Sequence, residues 1–188
     1  MPRPRDEPVR LTRIYTRGGD RGETSLGDGS RVSKLSPLVQ AYGAVDEVNS
    51  LVGWARVVWA DGPLERVQNE LFDLGADLSV PWVEGDEKLR IDQPAIDRLE
   101  ADCDAWNADL PELRSFVLPG GSEAGARLHI ARAVCRRCER VVLGVAAEHE
   151  VNPLAAVYLN RLSDLLFILA RAANAGGDEP LWRPGGER

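Results

Sequence analysis

The sequence predicts an all-α fold, an antiparallel bundle of five helices. Five segments repeat apolar residues at alternating gaps of three and four, the spacing of a helical face packed against another helix. No segment sustains the period-two alternation of a half-buried strand. With 188 residues and 44% hydrophobic content, the chain can form one domain with its own core. We therefore expect a single domain over residues 1–188.

The first three helices are each marked by an apolar row. The rows span residues 41–59, 64–78 and 96–110. Asp61 and Pro63 stand before the second row, and Asp92 and Pro94 before the third. An aspartate can cap a helix and a proline suits its first turn, so both positions predict helix starts.

The fourth and fifth helices carry apolar rows over residues 124–145 and 154–172. A Pro-Gly-Gly-Ser segment precedes the fourth helix, Asn152 and Pro153 precede the fifth, and Gly176 and Gly177 end it. The domain is expected to comprise a glycine-rich arm over 12–35, the bundle over 36–175 and a loosely held tail over 176–188.

Composition limits the partners and the compartment. A formal charge of −7, from 30 acidic and 23 basic residues, predicts no nucleic-acid partner, and any bound anion must meet a local positive patch. The opening MPRPRDEPVR has no apolar run behind it, so it is not a secretory signal. We expect no stretch apolar enough to span a bilayer, and no membrane partner. Three cysteines suggest no disulfide framework and fit a reducing cytoplasm.

Helix four carries a polar row beside its apolar row. Arg132, Arg136 and Glu139 follow at gaps of four and three, rotated by about 100° from the apolar row. Comparable rows are Asn160, Asp164, Phe167 and Arg171 in helix five, and Asp46, Ser50 and Gly53 in helix one. Boundary salt bridges would explain any single row. Because exposed pairs contribute little stability, three aligned rows favour a binding site or a subunit interface.

The same helix supplies the local positive patch. Arg132, Arg136, Arg137 and Arg140 lie within nine residues of each other. Guanidinium forks suit the oxygens of a polyphosphate. We interpret this segment as an anion-binding site.

The glycine-rich stretch YTRGGDRGETSLGDGSRVSK has the composition of a loop that wraps an anion. Glycines permit close approach of backbone amides, while hydroxyls and cations add contacts. The contributing residues are Thr16, Arg17, Gly18, Gly19, Arg21, Gly22, Thr24, Ser25 and Lys34. It is not a P-loop, since the lysine of GxxxxGK[ST] is missing and no strand precedes it. An unspecific flexible arm is the alternative.

Other site types are disfavoured by residue counts. His129 and His149 are the only histidines and neither follows a Glu by three residues, which excludes a ferritin-like di-metal centre. Cys135 and Cys138 fall on the core row of helix four, so packing is favoured over metal binding. His129 is expected at the boundary of the core rather than in a catalytic role.

Four segments together resemble a known family. AYGAVDEVNSLVG, FVLPGGSEAGARLHIARAVCRRCERVV, YLNRLSDLLFILARAAN and the glycine-rich stretch are similar, in order and spacing, to the signature segments of the PduO-type ATP:cob(I)alamin adenosyltransferases. The similarity runs from about Tyr15 to Asn174. It implies a five-helix bundle that assembles as a homotrimer, with ATP and the corrinoid bound at each subunit junction.

The resemblance implies an activity. It is the transfer of the 5′-deoxyadenosyl group of ATP to cob(I)alamin, giving adenosylcobalamin and triphosphate, with Mg²⁺ as cofactor. A flavin-type reductase and a cobalamin-dependent mutase are the implied partners. The alternatives are an adenosylcobalamin-binding and delivery protein without turnover, and a structural bundle with a loose arm.

The resemblance also implies roles for individual residues. The implied ATP-binding residues are Thr16, Arg17, Gly18, Gly19, Thr24, Ser25, Lys34, Arg136, Arg137, Glu139, Arg140 and Asn160. The implied catalytic residues are Arg132, Arg136, Asp46 and Phe116. Phe116 and Asp164 are implied at the corrinoid, Glu139 at the metal, and an ion pair between Asp46 and Arg132 across the subunit boundary.

One departure from the family is visible. The family usually reads Thr-Lys-Thr-Gly-Asp where this chain has Thr-Arg-Gly-Gly-Asp over residues 16–20. Arg17 keeps the charge, whereas Gly18 lacks a hydroxyl that could contact the nucleotide. We expect the activity to be retained.

Overall fold

The computed structural model describes residues 15, 17–177 and 179–186. Its elements are β1 (Glu23–Ser25), β2 (Arg31–Ser33), α1 (Pro37–Arg56), α2 (Leu64–Leu78), α3 (Gln93–Asn107), α4 (Glu123–Ala146) and α5 (Pro153–Ala173). The predicted five-helix bundle is confirmed. Each apolar row supplies the buried face of its helix, although the rows of α1 and α3 extend to residues 59 and 110, past the helix ends, and that of α3 is fully buried only at Ile96 and Leu99.

The helices pack in the order α2, α1, α4, α5, α3 around a common core. α4 runs antiparallel to α1, because Arg137 pairs with Glu47 near one end and Arg127 donates to the carbonyl of Trp54 near the other. Glu70 of α2 closes the ring by accepting hydrogen bonds from Arg98 of α3 and, at 2.9 Å, from the Tyr158 hydroxyl of α5. One contiguous core therefore supports every helix.

α5 is the most apolar helix of the bundle. By length and composition, Pro153–Ala173 could cross a membrane, which corrects the expectation that no stretch is apolar enough. Its apolar residues are buried against α3 and α4. A helix that packs against neighbours on most of its surface has an apolar composition, so we interpret α5 as a core helix.

A short antiparallel hairpin adds a sheet that the sequence did not predict. β1 and β2 pair with Thr24 opposite Val32. Each strand has three residues, which is too short for a period-two pattern to be recognised. The predicted arm is therefore partly ordered by its own hydrogen bonds.

The helix ends follow the start signals with one exception. Asp92 caps α3 by accepting from the amide of Ala95, and Ser122 caps α4 by accepting from the amide of Gly125. Asp61 makes no such bond, because α2 starts after Pro63 without a side-chain cap. α1 ends at Arg56, before the end of its apolar row, yet the later Trp59 still packs at 5.5 Å between ring centroids on Trp106.

The C-terminal segment is held more firmly than the expected loose tail. The amide of Leu118 donates to the carbonyl of Pro180 at 2.8 Å, and that of Trp182 to Phe116 at 2.7 Å. The buried guanidinium of Arg171 pairs with Glu179 at 3.0 Å. A buried charge needs a counter-charge, so this pair fixes the start of the segment.

A buried carboxylate joins α2, the 80–92 loop and α5. Asp77 is 1% exposed and pairs with Arg90 at 2.7 Å. It also accepts from the amide of Ile91 at 2.9 Å and from the side chain of Asn152 at 2.7 Å. One carboxylate therefore bonds to donors from the 80–92 loop and from the residue before α5. Asp77 thereby fixes the packing of α2 against both segments.

We expect Asp77→Ala to destabilise the fold strongly. Removing the carboxylate leaves the buried amide of Ile91 without its acceptor and takes from Arg90 one of its two carboxylates, the other being Asp86, at a cost of about 2–3 kcal/mol. Urea unfolding followed by circular dichroism measures the free energy of unfolding. Asp97→Ala is the control, since Asp97 is exposed and, within the described part of the chain, its side chain bonds only to Gln93 of its own helix. Equal stability of the two variants would contradict a structural role for Asp77.

Candidate active site

The arm is organised by a residue that the sequence analysis did not select. The guanidinium of Arg31 donates to the carbonyl of Gly18 at 2.9 Å and to the hydroxyl of Ser25 at 3.3 Å, and pairs with Glu23 at 3.4 Å. It thereby fastens the 17–20 turn to the hairpin. Thr24 and Ser25 face opposite sides of β1, as neighbours on a strand must, so the two predicted hydroxyls do not point the same way.

Lys34 and the 17–20 turn lie together. A β-carbon placed on Gly19 would lie 2.9 Å from the Lys34 Nζ, so the ammonium rests over this glycine. Arg17 adopts a left-handed backbone with φ 59°, an unusual conformation for a residue with a side chain. Three of the predicted ATP-binding residues are thus brought together. Thr16 lies outside the described residues.

The arm is anchored at the end of α2. Leu26 is buried in the core, and the amide of Gly27 donates to the carbonyl of Ser79 at 3.0 Å. A β-carbon on Gly27 would lie 2.5 Å from the Ser79 hydroxyl oxygen, so only glycine permits this approach. The arm therefore rests beside α2.

The polar rows of helices four and five meet along one seam. The carboxylate of Glu139 accepts from the side chain of Asn160 at 3.0 Å. Arg136 and Arg140 are exposed on the same stretch of α4, and neither has an ion pair among the described residues. Free guanidinium groups beside a fixed carboxamide suit an anionic ligand.

Arg132 lies at the half-buried end of this seam. Burial, followed by repulsion from Arg136, lowers the pKa of its guanidinium. Its Nε is buried without a hydrogen-bond partner in the part of the chain that the structure describes. A buried donor without a partner is costly and the group carries a positive charge, so an anionic or polar partner from outside the chain would stabilise Arg132.

Two predicted site residues are engaged elsewhere. Arg137 turns towards α1 and pairs with Glu47. Asp164 pairs with Arg161 at 2.9 Å on its own helix. Both pairs are exposed, where such interactions are weak enough to exchange for a ligand.

Asp46 lies away from the arginines. It lines a groove of about 470 Å³ between α1 and α2, beside Tyr42 and Phe72. Phe72 is exposed at its rim. α1 separates this groove from the seam of α4 and α5, and Asp46 has no ion pair within the described residues. Within one chain the expected Asp46–Arg132 pair does not form.

Phe116 lies at the same end of the seam as Arg132, because Phe167 lines its cavity and also packs on His129. Its side chain is 76% exposed and its ring centroid is 6.0 Å from that of Trp182. Phe116, Trp182 and Phe167 line a cavity of about 660 Å³. Trp182 is not among the predicted site residues, although the apolar pair Leu181–Trp182 in a polar tail was a signal for it.

Comparison with known proteins identifies the family. The family model for cobalamin adenosyltransferase matches residues 14–173, which include the arm and all five helices. The chain belongs to the cobalamin adenosyltransferase family. The family expected from the four sequence segments is confirmed.

Curated relatives of this adenosyltransferase-family chain cover nearly all of it. The corrinoid adenosyltransferase of Mycobacterium tuberculosis is 54% identical, over 96% of this chain and 97% of the relative. That of Bacillus subtilis is 41% identical, over 87% of each. The corrinoid adenosyltransferase PduO of Salmonella typhimurium is 43% identical, over 86% of this chain and 50% of the relative.

Solved structures of the family share the fold. A variant of the PduO-type ATP:corrinoid adenosyltransferase from Lactobacillus reuteri, complexed with cobalamin and ATP, is 34% identical with a TM-score of 0.83. The alignment covers 91% of this chain and 99% of that one. Another variant of the same enzyme, complexed with ATP, aligns with the same TM-score and identity.

Three other side chains of the adenosyltransferase bundle are buried. Cys135 and Cys138 lie in the core, and burial raises the pKa of the Cys138 thiol to about 12, which makes it inert. His129 is 3% exposed, not at the boundary as expected. Leu128, its neighbour on the core row, is fully buried, and the ring of Phe167 covers the imidazole.

We expect His129 to make stability depend on pH. Burial, followed by the charge of Arg132, lowers the pKa of the imidazole from its usual 6.5, while Glu179 opposes the shift. Below about pH 6.5 the imidazole takes up a proton in the unfolded chain but not in the folded chain. The contribution of His129 to the free energy of unfolding is therefore fully present above this pH and decreases as the pH falls further. Thermal unfolding between pH 5 and 8 should show this loss for the unmodified chain and less of it for His129→Phe. An identical pH dependence in both would contradict the assignment.

Proposed function

We propose that this chain transfers the 5′-deoxyadenosyl group of ATP to cob(I)alamin, giving adenosylcobalamin and triphosphate. Family membership confirms the expectation of a transferase. The observation that carries the proposal is the row of arginines on α4, Arg132, Arg136 and Arg140, which lack ion pairs within the described residues of an acidic protein of this family. Such groups are suited to a leaving triphosphate.

The reaction needs no nucleophile from the protein. The electron pair of cobalt(I) attacks C5′ of ATP, the new cobalt–carbon bond forms, and the bond from C5′ to the triphosphate oxygen breaks. The protein must then hold C5′ in line with cobalt and stabilise the charge that develops on the triphosphate. The expected ATP-binding residues fit this task, because most of them are cations, hydroxyls and glycines, and none is needed as a nucleophile.

Mg²⁺ fits the site as a companion of ATP. No cluster of three or more His, Cys, Asp or Glu side chains occurs in the described residues. Mg²⁺ commonly takes one or two carboxylates together with substrate phosphates. Glu139, held by Asn160 beside the free arginines, would be that carboxylate. The ion supplies positive charge at the phosphates.

The nucleotide is proposed to lie between two copies of the chain. The arm rests beside α2, whereas Arg136 lies on the seam of α4 and α5, with α1 between them. A homotrimer would bring the arm of one copy to the arginines of the next. The same contact would bring Asp46 to Arg132 and give that guanidinium its anionic partner.

Phe116 is proposed to shape the corrinoid site. An apolar wall that excludes the lower axial ligand and water leaves cobalt(II) four-coordinate and easier to reduce. Phe116 is exposed and faces a cavity with two further aromatic rings, Phe167 and Trp182. Asp164, whose pair with Arg161 is exposed, would lie at the edge of the same site.

The cellular setting follows from the proposed chemistry. A reductase of flavin type would supply the electrons and a cobalamin-dependent mutase would use the product. Cys103, Cys135 and Cys138 are all free thiols, which supports a reducing, cytoplasmic location. A delivery protein without turnover is the alternative, and the names of the relatives favour the transferase.

Triphosphate release separates the transferase from the alternatives. Anaerobic incubation with ATP, Mg²⁺ and chemically reduced cobalamin should convert the corrinoid spectrum to that of adenosylcobalamin with one triphosphate per product. A delivery protein would bind adenosylcobalamin and release no triphosphate. A structural bundle would in addition show no ATP-dependent protection of residues 15–34 from protease.

A further inference from the structure

A second cavity beside the proposed corrinoid site contains buried polar atoms without partners. It measures about 320 Å³ and is lined by Pro119, Gly120, His129 and Arg132, together with the apolar side chains Ala126, Ile130 and Ala133 of α4. Both ring nitrogens of His129, together with Nε of Arg132, are buried and form no hydrogen bond with any residue that the structure describes. Buried polar groups in native proteins are almost always paired, so a group from outside this chain is expected here.

The donors and acceptors among the unpaired atoms indicate which chemical group would bind in this cavity. Because its pKa is lowered, the imidazole is neutral at physiological pH, with one nitrogen as donor and one as acceptor. The Arg132 Nε is a donor only. A carboxylate could satisfy the donors but not the acceptor nitrogen. A primary carboxamide offers both a carbonyl and an NH₂ group and can satisfy both kinds of atom.

The position of the cavity relates it to the corrinoid. The ring of Phe167 lies between the two cavities, 6.1 Å between centroids from His129 on one side and lining the Phe116 cavity on the other. Pro119 and Gly120 follow directly on the segment that carries Phe116. A flat macrocycle against Phe116 would therefore extend its edge towards His129.

We propose that His129 and the Nε of Arg132 form a subsite for a primary carboxamide on the rim of the corrin ring, while the terminal guanidinium nitrogens of Arg132 remain for Asp46 of a neighbouring copy. His129 then contributes to corrinoid binding and specificity. This inference rests on the proposed function. The subsite favours amidated corrinoids over those carrying carboxylic acids, because the acceptor nitrogen of His129 requires a donor. His129 contacts the substrate periphery and takes no part in the bond-forming step.

The test compares His129→Phe, which removes the polar atoms but keeps a ring, with His129→Gln, which restores a donor and an acceptor. We expect His129→Phe to weaken binding of cob(II)alamin about tenfold, as one to two lost hydrogen bonds would, measured by quenching of tryptophan fluorescence. KM for ATP should stay unchanged, and His129→Gln should recover part of the loss. His149→Phe is the control, since His149 is exposed after the end of α4.

A second measurement addresses specificity. The same variants are titrated with cobalamin whose rim amides have been hydrolysed to carboxylates, and His129→Phe should lose the preference for the amidated form. Unchanged cobalamin binding would overturn the subsite and indicate that water fills the cavity. If sedimentation shows that His129→Phe no longer forms the oligomer, the subsite is also overturned. That result would indicate that a second copy of the chain fills the cavity. If the unmodified chain yields no adenosylcobalamin, the proposed function fails instead.

Discussion

Arg136→Ala is expected to lose at least about tenfold in turnover. A charge-assisted contact to the leaving triphosphate strengthens as charge develops, and one such contact contributes roughly 2 kcal/mol or more in the transition state. The guanidinium is exposed on α4 and has no ion pair among the described residues, so its removal should leave the fold intact. The anaerobic assay with chemically reduced cobalamin measures the rate directly.

The control for this variant removes an arginine far from the seam. Arg56 pairs with Glu65 between α1 and α2. Because that pair is partly exposed, Arg56→Ala should lose little stability, and its turnover should stay normal because Arg56 is not a proposed site residue. Arg136→Lys keeps the charge without the planar fork, so an intermediate rate is expected. Normal turnover in Arg136→Ala would remove Arg136 from the site.

Phe116→Ala is expected to affect the two routes to cobalt(I) unequally. If Phe116 excludes the lower ligand, the variant should lose most activity when a reductase must reduce cobalt(II). It should lose less when cobalt(I) is supplied chemically. The side chain is exposed apart from its contact with Trp182, so little stability should be lost.

The spectrum of bound cobalt(II) supplies a second readout for Phe116→Ala. In the presence of ATP, the unmodified chain should show the signal of four-coordinate cobalt(II), and the variant should show less of it. Leu89→Ala is the control, because Leu89 is an exposed apolar residue of the 80–92 loop and lies outside the proposed site. Equal losses of activity by both routes would contradict this role of Phe116, because a general defect in corrinoid binding or folding would slow both routes alike.

The helices could be predicted because each buries one face. Apolar rows such as Leu64 to Leu78 on α2 coincide with the buried residues of that helix. The hairpin could not be predicted, because each strand has only three residues and shows no recognisable period. The bonds of Arg31 to Gly18 and Ser25 likewise follow no sequence pattern. The C-terminal segment was missed because two apolar residues, Leu181 and Trp182, carry no periodicity.

The candidate site was predictable where it follows a helical row and not where it depends on neighbours. Arg136 and Glu139 lie on the seam, as their spacing predicts. Arg137, one residue further round the helix, faces Glu47 on α1, and only the packing order of the helices reveals that contact. The proposed partner of Asp46 belongs to another copy of the chain, which no pattern within one sequence can locate.

The central claim is that the glycine-rich arm and the arginines of α4 bind the same triphosphate. A crystal structure of the assembled protein with ATP and Mg²⁺ tests it most directly. The account predicts phosphate oxygens within hydrogen-bonding distance of the Arg136 guanidinium of one copy and of the 17–19 backbone of its neighbour. A nucleotide bound by the arm alone, with Arg136 facing solvent, would contradict it.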